Sequence, residues 1–177
     1  MNDGLVSVEA WLRDRQRGDR DLSPDELAHL AGDLAERSDL WQGSVRHTRD
    51  KRHYVRLRRD HHLEVWLICW MPSQDTGLHD HDLSCGAVRV VQGTIAEDRM
   101  VLGQEHPDST DYRAGQGFSF DASRIHNVRH AGRGPATSLH LYSPPLWRMG
   151  YYETGADGRL ARRAATYVEE LGMVPMG

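Results

Sequence analysis

From about Arg52 onward the chain breaks into short apolar runs closed by turn residues, a strand-like rhythm. His53-Tyr54-Val55-Arg56-Leu57 and Leu63 to Trp70 read as two strands joined by a hairpin turn at Arg59-Asp60-His61-His62. Further runs follow at Gly86 to Val91, Ile95 to Leu102, Gly117 to Phe120, Ile125 to Val128 and Thr137 to Tyr142. Glycine-bearing turns such as Gln92-Gly93 punctuate them. Many short strands at this spacing predict a β-sandwich or a β-barrel. A last hairpin, Met149 to Thr154 and Leu160 onward, is expected around Gly155-Ala156-Asp157-Gly158.

The first forty or so residues follow a different period. Val8, Trp11 and Leu12 form a short amphipathic face within Val6 to Arg15. Ser23-Pro24-Asp25-Glu26 is a helix start: serine caps, proline suits the first turn, and glutamate completes a capping box. Leu27, Leu30, Ala31 and Leu34 then share one face, with the helix ending near Ser38. A length of 177 residues suits one domain, a helical cap over residues 1–45 and a barrel with its C-terminal hairpin over residues 50–177.

Charge and cysteine content narrow the function classes. Twenty-two Lys+Arg against 26 Asp+Glu, a net charge of −4, give no reason to expect nucleic acid or an anionic membrane as partner. Arg58 and Arg59 read as a solvated strand or turn face, and His61 and His62 as solvated turn residues. Two cysteines, Cys69 and Cys85, are too few for a disulfide framework. The apolar run Val65 to Met71 is too short to span a bilayer. Met1 to Leu12 is interrupted by Asp3, Gly4 and Glu9, unlike a signal peptide, so the expected location is cytoplasmic. Oligomeric state is left open, a monomer included.

The chemistry is carried by histidine. His79-Asp80-His81 places two imidazoles on one face of an extended strand, with Asp80 turned away. Neutral imidazole is a common transition-metal ligand, although an HxH pair alone fits an exposed strand face as well. Further along, His126 lies beyond Gly115-Gln116-Gly117 and Phe118-Ser119-Phe120. An early HxH, a glycine turn after the next strand and a later histidine resemble the layout of a cupin. That resemblance implies a double-stranded β-helix, a jelly-roll barrel in which His79, His81 and His126 hold a metal. Where cupins place a glutamate after the HxH pair, this chain has Cys85 and Gly86, so the ligand set is expected to be three neutral histidines.

A second cluster is Ser138-Leu139-His140-Leu141-Tyr142. Alternation puts Ser138, His140 and Tyr142 on one face, which is either exposed or buried in mutual hydrogen bonds. Tyr54-Val55-Arg56, Cys69-Trp70, His79-Asp80-His81 and the run from Ser138 to Pro145 (SLHLYSPP), in that order, resemble the cysteine dioxygenase family of thiol dioxygenases. The resemblance covers about Arg52 to Pro145. It implies iron(II) on the three histidines, with dioxygen and a small thiol as the reacting partners. Arg56 would pair with the substrate carboxylate, with Tyr54 lining the pocket. Tyr142 would face the substrate, oriented through His140 and Ser138.

Two departures are visible. Mammalian members link a cysteine to the active-site tyrosine; the matching position here is Gly86, and neighbouring Cys85 should point the opposite way. No thioether to Tyr142 is expected. The segment Arg129 to Gly134 also differs from the relatives. Arg56 favours L-cysteine, while 3-mercaptopropionate, a bulkier thiol, or a non-thiol substrate of another metal-dependent cupin stay open.

Overall fold

The structure, a computed structural model, describes residues 7–16, 18–101, 106–154 and 160–166. Two helices come first, α1 (Val8–Arg15) and α2 (Pro24–Ala35). The capping box forms: Glu26 N donates to the Ser23 hydroxyl at 3.3 Å and Ser23 N donates to the Glu26 carboxylate at 2.9 Å. The α-helix stops at Ala35, and the chain continues through two 3-10 turns, Ser38–Leu40 and Gln42–Ser44.

Eleven strands follow among the described residues: β1 (His53–Arg59), β2 (Glu64–Trp70), β3 (His79–Asp80), β4 (Cys85–Gln92), β5 (Thr94–Arg99), β6 (Asp108–Arg113), β7 (Gly117–Phe120), β8 (His126–Ala131), β9 (Ala136–Ser143), β10 (Arg148–Thr154) and β11 (Leu160–Thr166). They make two antiparallel sheets, ordered β1-β2-β9-β4-β7 and β11-β10-β3-β8-β5-β6. This is the double-stranded β-helix that the motif layout implied. The strand expected to reach Leu102 ends at Arg99, and Leu102 lies outside the described residues. So does the turn Gly155 to Gly158, although its two flanking strands pair from Arg148↔Thr166 to Thr154↔Leu160.

β6 carries no apolar alternation and was not expected. It sits at the edge of its sheet, mostly exposed, and pairs only with β5. A strand that faces water needs no apolar signal, which is why periodicity misses it.

The central strands of the five-stranded sheet, β2 and β9, are buried on both faces, and alternation divides their residues between two cores. Leu63, Val65, Leu67, Leu139 and Leu141 meet Trp11, Leu12, Leu27, Leu30 and Leu34 of the helices. Each such leucine contributes about 1.5–3 kcal/mol on burial. Trp66, Trp70, Val88, Phe120 and Tyr142 face the other way, toward Val128, Leu146 and Met149 inside the barrel. The helices therefore close the outer face of the sheet, and the inner face is left for a site.

Of the two arginines expected on a solvated face, Arg59 is exposed and Arg58 is not. A bulge between Arg56 and Arg58 breaks the alternation. Arg58 turns toward α1, only 8% exposed, donating to the Glu9 carbonyl at 2.8 Å and pairing with Asp60. Arg59 pairs with the fully buried Glu64 at 2.6 Å. His62, expected to be solvated, sits 2.9 Å from both Asp19 and Asp21, whose hydrogen bonds raise its pKa. Among the described residues, no helix is long and apolar enough to cross a membrane.

Candidate metal centre and the cavity around it

β3 is only two residues long, yet it sets the centre. His79 lies directly opposite His126 of β8, and Asp80 opposite Gly150 of β10. His81 follows at once, where Asp82 adopts a left-handed φ of 55° and its N–H donates to Asp80 Oδ1 at 3.0 Å. The three imidazoles are buried, and one ligand nitrogen of each lies within 4.8 Å of the others. Asp80 does turn away, accepting from Gly150 N at 3.1 Å, the Tyr152 hydroxyl at 2.7 Å and Arg162 Nε at 2.7 Å.

These residues fit a metal ion. His79 Nδ1 is 2.9 Å from the Gly77 carbonyl and His126 Nδ1 is 2.8 Å from Glu97 Oε1, so each ring donates on that side and presents Nε2 to the cluster. Among the described residues, His126 Nε2 and both nitrogens of His81 are buried with no hydrogen-bond partner. A buried polar atom left so costs about 1–3 kcal/mol, which coordination would relieve. Burial, followed by repulsion from His126, pushes His79 down to about 3. Burial also drives His81 well below its ordinary value. Both rings are therefore neutral at pH 7, as metal binding requires.

Glu97 is a participant that sequence reasoning missed. It is buried and accepts from His126, and Arg124 donates to the same oxygen at 3.0 Å. A carboxylate behind a ligating histidine fixes the ring and raises its basicity. Its only sequence signal is an acid sharing a strand face with Ile95.

The inner face of β9 supplies a polar line. The Trp70 indole N–H donates to Ser138 Oγ at 2.8 Å. Ser138 Oγ and His140 Nε2 are 2.8 Å apart, and His140 Nδ1 and the Tyr142 hydroxyl 3.4 Å. All three β9 residues are buried. Burial holds His140 near 3, with the charges of His126 and Arg52 acting in the same direction.

This line and the metal cluster share one cavity of about 50 Å³. At roughly 10–15 Å³ for each water-sized group, it suits a small ligand. Tyr54, His79, His126, His140 and Tyr142 line it, with Ile68, Val88, Leu146 and Met149 supplying apolar wall. Trp66 also lines it, so this tryptophan does more than pack core. Arg56 stands at the rim. Its side chain is 45% exposed, 5.7 Å from the Trp66 ring centre and 3.9 Å from Glu64. The arginine that lines the cavity is Arg52, just before β1 and not singled out from the sequence.

Gly86 is opposite Tyr142 on the β4–β9 ladder. The Cys85 thiol faces the other way, donating to the Ser143 carbonyl at 3.1 Å and the Leu22 carbonyl at 3.3 Å.

A two-sheet β-helix carrying three buried, clustered histidines in its barrel defines a cupin with a candidate metal centre. The chain belongs to the cysteine dioxygenase type I family, whose profile matches residues 5–154. It is 30% identical to the cysteine dioxygenase type 1 of Rattus norvegicus over 92 residues, 46% of this chain and 45% of that protein. The Homo sapiens counterpart is 29% identical over the same shares. The chain thus matches less than half the length of these curated relatives. Among solved structures, a Klebsiella pneumoniae protein with a double-stranded β-helix domain aligns with a TM-score of 0.52 and 15% identity, covering 71% of this chain and 88% of that one. A Thermus thermophilus protein aligns at 0.51 and 17%, covering 58% and 92%. At these identities the two structures speak for the fold.

Proposed function

We propose that this protein is an iron(II)-dependent thiol dioxygenase, converting a small carboxylate-bearing thiol, L-cysteine first among them, to its sulfinic acid. The observation that carries the reading is the meeting of His79 and His126, two of the three clustered histidines, with His140 and Tyr142 on one small cavity, in a chain of this family. Iron(II) held by His79, His81 and His126 would supply the redox chemistry of RSH + O2 → RSO2H, in which both oxygen atoms go to sulfur.

The chain's own groups bind and orient. Tyr142 presents its hydroxyl to the cavity, tethered by His140. His140 is neutral, so each ring nitrogen either donates or accepts, and the line can hold a proton toward Tyr142 or toward Ser138. The Trp70 indole fixes the inner end. Arg56 and Tyr54, on one face of β1, are the proposed carboxylate-side residues, because a planar guanidinium grips a carboxylate at two points. The apolar wall excludes water, which strengthens each of these polar contacts.

The test is oxygen uptake by iron(II)-loaded protein against cysteine, cysteamine, 3-mercaptopropionate and a bulkier thiol, with products identified by mass spectrometry. Stoichiometric sulfinate from one thiol supports the reading and names the substrate. Iron-containing protein that consumes oxygen with none of them overturns it in favour of a cupin acting on a non-thiol substrate.

A further inference from the structure

We propose that Arg59 and Glu64 are positioning residues for this cavity: together they clamp Leu146 into its wall and so fix the size of ligand it admits, the ligand class resting on the thiol reading above. Glu64 opens β2 on the inner face of the sheet, the face of Trp66 and Trp70, directly opposite Tyr142 of β9. Its carboxylate is fully buried, and a buried charge is costly unless it is paired and hydrogen-bonded. Arg59, its neighbour across the β1–β2 hairpin, donates to Glu64 Oε2 at 2.6 Å, and Arg56 stands 3.9 Å from the other oxygen. The Leu146 N–H also donates to Glu64 Oε2, at 3.0 Å. Arg59 in turn donates to the Leu146 carbonyl at 3.0 Å.

One ion pair thus holds both backbone groups of a single residue. Leu146 lies in the connection between β9, which ends at Ser143, and β10, which begins at Arg148, so no strand ladder holds it there. The pair takes the place of a neighbouring strand. The Leu146 side chain is buried and lines the cavity, whereas the next residue, Trp147, is 76% exposed. The clamp therefore decides which side chain of this connection faces inward. A buried ion pair contributes little net stability, because desolvation offsets the attraction. Its effect here is on geometry. In a cavity of about 50 Å³ one displaced leucine changes what fits. A single methylene in such a pocket is worth about 10- to 200-fold in discrimination.

The experiment compares cysteine with penicillamine, which carries the same charged groups and differs only by two methyl groups beside the sulfur. Dissociation constants are measured by anaerobic calorimetry on iron(II)-loaded wild type and on the double variant Arg59→Met, Glu64→Leu. That variant removes both bonds to the Leu146 backbone and leaves no buried carboxylate behind. Hydrogen exchange at the Leu146 amide is followed on the same proteins. Wild type should bind penicillamine at least about 10-fold more weakly than cysteine. In the double variant the Leu146 amide should exchange faster, and the ratio of the two constants should shrink by about 10-fold. Leu146→Ala, with the ion pair intact, should shrink the ratio as well, and it judges the wall if the double variant fails to fold. A purely structural role would lower the melting temperature and leave the ratio as in wild type. An unchanged ratio in either variant, or an unchanged exchange rate at Leu146 in the double variant, overturns the proposal. The two readings fail separately: wild type that binds neither thiol removes the thiol reading, whereas exchange at the Leu146 amide still judges the clamp.

Discussion

Gly86 lies directly opposite Tyr142 on the β4–β9 ladder, and a methyl group at Gly86 would stand 2.4 Å from Phe120 Cζ. The Phe120 ring occupies the space that a side chain at position 86 would need. It also stacks on His81 with ring centres 4.7 Å apart. A ring that packs on one histidine of the cluster thus replaces any side chain beside Tyr142.

Gly86→Ala should consequently overpack the barrel. We expect a loss of about 1–3 kcal/mol in a urea denaturation series, the usual cost of an added methyl in a tight core. Wild-type protein should show the intact mass of its unmodified sequence. A mass lower by two hydrogens, mapped to Tyr142, would contradict the placement of Cys85 on the opposite face.

Glu97→Gln should weaken the metal centre without emptying it. The carboxylate that holds His126 from behind becomes a neutral amide, and affinity should drop by about 10- to 100-fold. Competition against a chelator of known affinity measures the change, and equal retention of metal by wild type and variant would deny Glu97 this part.

Acid should destabilise the metal-free protein before any carboxylate titrates. His79 and His140 are held near 3 in the folded chain and return to about 6.5 when unfolded. Between those values the unfolded state binds more protons, so folding stability is fully present above about pH 6.5 and declines as pH falls toward 3. Each such histidine contributes a slope of at most about 1.4 kcal/mol per pH unit. Melting temperatures of chelator-treated protein from pH 7.5 to about pH 4 should fall, and His140→Gln should flatten part of that slope. A flat profile in wild type would mean that these rings accept protons without unfolding.

Asp80→Asn should loosen the C-terminal hairpin from the metal strand. The carboxylate, held well below the ordinary range chiefly by Arg162 and Tyr152 against the cost of burial, joins β3 to β10 and β11. Hydrogen bonds to a charged group are worth about 1.5–3 kcal/mol. A stability loss of that order is expected at pH 7, with protection from hydrogen exchange lost first at Gly150. Because the folded pKa is depressed, the wild-type advantage should fade as pH falls below about 4.

By itself the sequence determined the class of fold, the helical cap and the residues that converge. Period-2 alternation in His79 to His81 and in Ser138 to Tyr142 is a local property of an extended backbone, so which side chains share a face was readable from spacing alone. The capping box at Ser23 was legible for the same reason: its partners are three residues apart. Tertiary structure decided everything that depends on contacts across strands. Periodicity left the β9 face open between solvent and core, and burial of both faces of β9 settled it. Glu97 reaches His126 only through the β5–β8 pairing, and Glu64 meets Arg59 and Arg56 only once the β1–β2 hairpin and its bulge are closed. A one-residue bulge sent Arg58 to the helix, while Arg52 lies over Trp70 in the cavity lining and Arg56 over Trp66 outside it. A strand's own pattern fixes the side on which a residue stands; what it touches there is fixed by residues far away in the chain.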